Sequence, residues 1–360
     1  MVHQYINNGY HIVLDVNSGA IHVVDEVVYD VIPLFEKHSS EEITGLLREK
    51  YSEEEIREAV EEVAQLKKEG SLFTPDTYEA PLIDFKKRPT VVKALCLHIA
   101  HDCNLACRYC FAEEGEYHGR RALMSYETGK AALDFLIANS GSRRNLEVDF
   151  FGGEPLMNFE VVKQLVAYGR EQEKLHDKHF RFTLTTNGVL LNDDIMEFAN
   201  REMDNVVLSI DGRKEVHDHM RPFRKGAGSY DLIVPKFQKF AKSRNQEKYY
   251  VRGTYTHFNT DFSKDVLHLA DLGFKQISVE PVVAEETDDY AIKEEDLPVL
   301  FKEYDDLAAE MVRRNKAGNG FNFFHFMIDL EGGPCVYKRL SGCGSGTEYL
   351  AVTPRGDRKS

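Results

Sequence analysis

Three thiols stand in the spacing C-x3-C-x2-C within Cys103-Asn104-Leu105-Ala106-Cys107-Arg108-Tyr109-Cys110. Thiolates are soft ligands, and three on one short loop leave one coordination position uncovered. A structural zinc site wants four protein ligands; His98, His101 or His118 could complete one, but zinc usually takes its ligands as two separated knuckles. An iron–sulfur cluster ordinarily takes four cysteines. With three, one iron must bind something else, which is what substrate or cofactor chemistry requires. Cys96, upstream in an apolar run, reads as a small buried residue.

Other residues share the right character. In Gly152-Gly153-Glu154-Pro155 the glycines permit close backbone approach, and Glu154 offers an acceptor to a bound ammonium. Thr185-Thr186-Asn187-Gly188 and Ser209-Ile210-Asp211-Gly212 carry short polar side chains, which could equally cap the helices that follow. Arg221, in His217-Asp218-His219-Met220-Arg221-Pro222, and Arg252 are candidate grips for a carboxylate, the alternative being ordinary ion pairs. A P-loop and a Gly-x-Ser-x-Gly elbow are both missing, so nucleotide hydrolysis and acyl transfer have no support.

These motifs follow strand-like runs. Six are expected, at Val91 to Ile99, Leu146 to Phe151, Phe180 to Thr185, Val206 to Ile210, Tyr249 to Thr256 and Gln276 to Val283. Helical stretches such as Tyr126 to Asn139, Phe159 to Lys174 and Tyr230 to Lys242 alternate with them, and a last helix spans about Asp296 to Asn315. The expected fold class is α/β, with a partial (βα)6 barrel over residues 90–325 whose chemistry sits beyond the carboxyl ends of its strands. Ahead of it, residues 1–75 predict a hairpin through Tyr10, Ile12, Leu14 and Ile21, Val23, turned at Asn17-Ser18-Gly19. Two helices follow, each begun by a capping box, Ser39 with Glu42 and Ser52 with Glu55, the second ending near Gly70. Residues 76–89, with Pro81 and Pro89, read as a linker and 326–360 as a separate tail.

Composition narrows the field. The 360 residues hold 45 Lys and Arg against 60 Asp and Glu, a formal charge of −15 that argues against a nucleic-acid partner. No apolar run reaches the roughly 20 residues of a bilayer span, and the start is unlike a signal peptide, so the chain reads as cytoplasmic without a membrane partner. Six cysteines are too few for a disulfide scaffold in a chain of this size.

The run from Cys103 to Cys110 resembles the signature of the radical S-adenosylmethionine (radical SAM) superfamily. That resemblance implies a 4Fe-4S cluster held by Cys103, Cys107 and Cys110, with S-adenosylmethionine (SAM) chelating the remaining iron and yielding, on reduction, a 5′-deoxyadenosyl radical that abstracts a substrate hydrogen atom. It places Tyr109 by the adenine and Gly152, Gly153 and Glu154 at the SAM amino group. Ser209 becomes a neighbour of the ribose or carboxylate, Asn187 and Asp211 further rim contacts, and Arg221 and Arg252 candidate partners of the SAM carboxylate.

The flanks resemble subclasses of the superfamily. Cys335 and Cys343, with Gly356 after twelve intervening residues, are similar to the opening of a SPASM domain, which binds auxiliary iron–sulfur clusters. The motif expects a further cysteine after four more residues, so the tail is expected to be truncated. The N-terminal hairpin and helices resemble the winged-helix RiPP recognition element, which pairs with leader peptides by β-augmentation. Over its length the chain is most similar to the maturases of SCIFF peptides. This implies a Cys-rich precursor peptide as partner, a thioether between a cysteine sulfur and an α-carbon as product, and an electron donor such as ferredoxin or flavodoxin. No side chain is nominated as a general base. The alternatives are a formylglycine-generating, anaerobic sulfatase-maturing type and a cluster-bearing peptide sensor without turnover.

Overall fold

The structure is a computed structural model that describes residues 1–76, 90–117, 119–327, 344 and 346–359. The described residues divide into two compact units, the first built on residues 1–76 and the second on residues 90–117 and 119–327 with 344 and 346–359.

In the first unit β1 (Val2–Asn7), β2 (Tyr10–Asp15) and β3 (Ile21–Val24) form an antiparallel sheet in that order. Helices α1 (Glu26–Phe35), α2 (Ser40–Leu47) and α3 (Glu53–Glu69) follow and close over a core of Val13, Val28, Val31, Ile32, Ile43, Ile56 and Val63. Both expected capping boxes are formed, and Gly70 ends α3 in the left-handed region at φ 75°. Strand β1 has no counterpart among the expectations because it lacks apolar alternation: Tyr5 and Ile6 are exposed while Gln4 is half-buried. Gln4 Nε2 donates 2.8 Å to the carbonyl of Tyr29. That carbonyl would ordinarily serve the amide four residues on, but Pro33 has none, so the strand side chain repairs the helix.

The second unit opens with β4 (Ala94–His101), the short β5 (Ala122–Leu123), α4 (Tyr126–Asn139), β6 (Asn145–Gly152), α5 (Phe159–His176) and β7 (His179–Thr186). It continues through α6 (Asp193–Glu202), β8 (Asn205–Ser209), α7 (Lys214–Met220), α8 (Tyr230–Ser243), β9 (Tyr249–Tyr255) and α9 (Phe262–Asp271). Strand β10 (Gln276–Pro281), α10 (Leu297–Lys316), β11 (Asn322–Phe323), β12 (Tyr349–Val352) and β13 (Arg358–Lys359) complete it. The sheet order is β11-β10-β9-β8-β7-β6-β4-β12-β13, with β4, β6, β7, β8, β9 and β10 parallel. Six βα units thus lie side by side in a sheet that does not close.

Period-two alternation sorts the faces. Leu95, Leu97 and Ile99 of β4, Leu146, Val148 and Phe150 of β6, and Phe180, Phe182 and Leu184 of β7 are fully buried within the main core of this unit. The intervening Cys96, His98, Asp149, Phe151, Thr183 and Thr185 are less buried and polar or aromatic. The tail, for which no strand was predicted, contributes β12 parallel to β4 along Tyr349 to Val352, which keeps β4 from being a bare edge. Cys335 and Cys343, and all of the expected linker except residue 76, lie outside the described residues. No described helix is long and apolar enough to cross a membrane.

Candidate active site

The cysteine loop leaves β4 where that strand bulges against β6: His98 pairs with Phe151, but Ala100, not Ile99, meets Gly152. The loop is then stitched to the segment after α7. Ala106 N donates to Pro222 O (2.9 Å), Arg108 N to Met220 O (2.9 Å), and Leu105 bridges Phe223. Arg224 Nη2 adds 2.7 Å to the Cys103 carbonyl and 3.0 Å to Asp102 Oδ1.

Gly152 and Gly153 are required by this meeting of strand ends. Gly153 N donates to Ala100 O (2.8 Å) and Glu154 N to Asp102 O (2.9 Å). A Cβ on Gly152, at φ +123°, would stand 2.4 Å from Ala100 O, and one on Gly153 2.2 Å from Asp102 O. Glu154 is wholly buried, and its carboxylate accepts from Leu156 N (3.0 Å), Thr186 Oγ1 (2.8 Å) and Asn187 N (2.8 Å). Burial still outweighs those donors and pushes its carboxyl up to about 7.

Asn187 caps no helix; Asn192 begins α6. Val189 N donates to Asn187 Oδ1 (3.0 Å), which turns Asn187 Nδ2 toward Asn104 Oδ1 (2.8 Å) and Cys103 Sγ (3.6 Å). Asp211 is likewise no cap, since its carboxylate points inward, fully buried. It accepts from Tyr109 Oη (2.8 and 2.7 Å), Arg221 Nε (2.9 Å) and Thr254 N (3.0 Å). The Arg221 guanidinium lies 5.3 Å from the Tyr109 ring centre. Behind this group Asp211 N donates to His217 Nδ1 (3.3 Å), so Nε2 carries the proton toward Ser229 Oγ (2.9 Å), which donates on to Arg221 O (2.8 Å). Desolvation drops His217 to about 4 and keeps it neutral.

Around the mouth lies an open cavity of ≈ 410 Å³. Its lining unites Cys103, Cys107, Cys110, Tyr109, Gly152, Gly153, Glu154, Asn187, Ser209, Arg221 and Arg252, every sequence-nominated residue of the barrel except Asp211, which stands behind Tyr109. Both arginines are in ion pairs, Arg221 with Asp211 and Arg252 with Glu280 at 2.5 Å. Sequence reasoning missed Thr254 and the Glu280-Pro281-Val282-Val283 stretch at the end of β10, which also line the cavity. The signal was present: rim residues of one strand, Ser209 on β8, imply rim residues on its neighbours β9 and β10.

Residues 97–273 match the Radical SAM superfamily. That stretch resembles a radical SAM core. It is 31% identical to an uncharacterized protein of Methanocaldococcus jannaschii, over 52% of this chain and 62% of that protein. It is also 23% identical to the radical SAM cyclopropyl synthase TigE of Paramaledivibacter caminithermalis, over 47% of this chain and 38% of TigE. A cysteine-type anaerobic sulfatase-maturating enzyme of Clostridium novyi is 28% identical over 37% and 36% of the two chains. The chain therefore spans between about a third and three fifths of the length of these curated relatives. Among solved structures, anSMEcpe with bound AdoMet has a similar fold (TM-score 0.56, 20% identity, 65% of each chain). Streptococcus suis SuiB bound to S-adenosylmethionine does too (TM-score 0.53, 16% identity, 99% of this chain and 80% of SuiB).

The residues of this site fit a cluster with three thiol ligands. Cys103, Cys107 and Cys110 are free thiols bordering one cavity. Among the described residues no three His, Cys, Asp or Glu side chains converge on a point as a single ion requires, whereas a multi-iron cluster fills the space between its ligands. Two buried polar atoms beside the loop, Asn104 Nδ2 and the Tyr117 hydroxyl, have no partner in the protein. Burial pushes Cys103 up to about 12, with Glu154 adding to the rise. Burial likewise lifts Cys107 to about 11, against the pull of Arg221. Without a metal Cys103 and Cys107 keep their protons, and metal binding would release them.

Proposed function

We propose that this chain is a radical SAM peptide maturase that joins a cysteine sulfur to an α-carbon in a ribosomally made, Cys-rich precursor. The observation that carries the radical SAM part is the placing of three free thiols on one cavity with Gly152, Gly153 and the ends of β7 to β10. In this reading Cys103, Cys107 and Cys110 hold a 4Fe-4S cluster and SAM fills the adjoining cavity. Together, when bound and reduced, they supply a deoxyadenosyl radical that removes a substrate hydrogen atom.

The protein's own groups bind and orient. Glu154 Oε2, with a single donor at 2.8 Å, retains a lone pair for an ammonium. Arg252, half-exposed, can exchange Glu280 for an incoming carboxylate. Asp211 fixes Tyr109 and Arg221, and through them the loop. A peptide substrate is supported by the likeness to maturases, and among the described residues the β1-β2-β3 sheet leaves β1 and β3 as edges where a leader could add a strand. Cys335 and Cys343 are proposed ligands of auxiliary clusters, and the expected electron donor is a ferredoxin or flavodoxin.

Similarity to a sulfatase-maturating enzyme favours one rival, in which the product is formylglycine. Anaerobic reaction with SAM, dithionite and a Cys-rich peptide separates them. The proposal expects 5′-deoxyadenosine and a peptide lighter by two hydrogens whose sulfur resists alkylation. A formylglycine product would replace the thioether reading, and intact SAM at a fully loaded cluster would favour a sensor.

A further inference from the structure

Tyr117 is held in a backbone conformation that its residue type resists. Its φ is +53°, in the left-handed region that bulky side chains seldom enter, and Glu113 and Glu114 of the same segment stand there too, at +46° and +55°. Tyr117 N donates to Ala112 O (2.9 Å), which closes the turn that follows Cys110. Strain of this kind persists only where the surroundings fix it. The Tyr117 ring is fixed on three sides. It stacks on His101 (ring centres 4.6 Å apart, planes at 21°), lies 4.5 Å from the His98 ring, and meets the Phe111 ring edge-on at 5.8 Å.

The clamp holds a hydroxyl where the protein does not serve it. Tyr117 Oη is shut off from solvent and has no hydrogen-bond partner among the described residues. A buried donor left unpaired costs stability, and a clamped ring cannot turn it out to water. Its surroundings are thiols. Burial pushes the phenol up, and charge on Cys96, Cys110 or Cys103 would push it further, so the hydroxyl remains a donor and these sulfurs lie within its electrostatic reach. Two of the three belong to nominated cluster ligands. Donors already serve sulfur at this loop, for Leu105 N and Asn187 Nδ2 stand 3.5 and 3.6 Å from Cys103 Sγ.

We infer that the Tyr117 hydroxyl donates a hydrogen bond to sulfur of the cluster bound at Cys103, Cys107 and Cys110, and thereby sets how readily that cluster takes up an electron. This rests on the cluster assigned under the proposed function and adds the residue that tunes it. The proton stays on oxygen and no covalent bond changes. Reduction places one more negative charge on the cluster, so a donor to its sulfur favours the reduced form and raises the potential. Tyr117 acts through the cluster alone.

Tyr117→Phe keeps the ring and removes the oxygen. Tyr168→Phe is the matched control, since it removes a hydroxyl of α5 that donates to Asp134 of α4. Each protein is loaded anaerobically with iron and sulfide, its iron content is measured, and the midpoint potential is found without SAM by redox titration followed by electron paramagnetic resonance. Tyr117→Phe is expected to lower the one-electron equilibrium constant about ten-fold, which is about 59 mV, and to lose a proton coupling that exchanges in D2O. Tyr168→Phe is expected to match wild type. Cofactor-free Tyr117→Phe should be no less stable than wild type in urea unfolding, because its hydroxyl has no partner to lose. Equal potentials at equal iron content, or a destabilised cofactor-free Tyr117→Phe, would overturn the hydrogen bond. A shifted potential in a protein that never cleaves SAM would uphold the hydrogen bond and refute the radical chemistry, whereas an unshifted potential in a protein that does cleave SAM would do the reverse.

Discussion

Asp211→Ala removes the carboxylate that gathers Tyr109, Arg221 and the Thr254 amide. Asp211 is fully buried and the Arg221 side chain is 13% exposed, so solvent does little to screen the pair. Deleting one member of a buried ion pair costs about 3–5 kcal/mol because the other charge is left unpaired. The Tyr109 hydroxyl, which also loses its acceptor, adds an overlapping share of about 1–3 kcal/mol. We expect about 4 kcal/mol in urea unfolding of the cofactor-free protein, a large part of the ~5–15 kcal/mol typical of a domain. The cycle with Arg221→Met decides the cause. If the unpaired guanidinium is the penalty, Asp211→Ala/Arg221→Met is more stable than the sum of the single losses by about 2 kcal/mol. Strict additivity, or a loss under about 1 kcal/mol for Asp211→Ala, would refute this account of the Tyr109 loop.

Gly153→Ala should destabilise by at least about 1–3 kcal/mol and lower cluster uptake, because its Cβ meets Asp102 O at 2.2 Å next to Cys103. Gly45→Ala, in α2 with nothing within 4 Å, should instead stabilise by about 0.5–1 kcal/mol; equal unfolding midpoints for the two would contradict the steric argument. Glu154 is raised by burial from 4.5 to about 7, so the folded protein holds the extra proton between those values, and its share of stability is lost as pH rises through that window. In the cofactor-free protein, stability of wild type relative to Glu154→Gln should fall by about 3 kcal/mol from pH 4.5 to above 7, and a flat difference would be the wrong answer. Arg252→Gln should weaken SAM binding about ten-fold or more, measured by equilibrium dialysis, if Arg252 receives the carboxylate; an unchanged affinity would leave it to Glu280 alone.

The six barrel strands and the local groupings of the site were legible in the sequence. Cysteines held within one loop must lie close together in space, and a Gly-Gly pair at a strand end announces a backbone contact, so both could be read locally. The direction of Asp211 could not, because it depends on Tyr109, 102 positions away, and on Thr254 one strand over. For Asn187 and Asp211 the sequence left capping open beside a rim role, because short polar residues often precede helices, but Asn192 and the turn at Arg213 precede α6 and α7 instead. Strand β1 carries no signal because it is held by pairing with β2 and by Gln4 serving the Tyr29 carbonyl that Pro33 leaves without a donor, a long-range arrangement that leaves no periodicity. The strand at Tyr349 to Val352 is similarly recruited by the free edge of β4.

Oxygen-free protein, loaded with iron and sulfide and reduced with dithionite, should release 5′-deoxyadenosine from SAM, and Cys103→Ala/Cys107→Ala/Cys110→Ala should release none. Deoxyadenosine from the triple variant, or none from wild-type protein with its full iron content, would contradict the assignment of this loop.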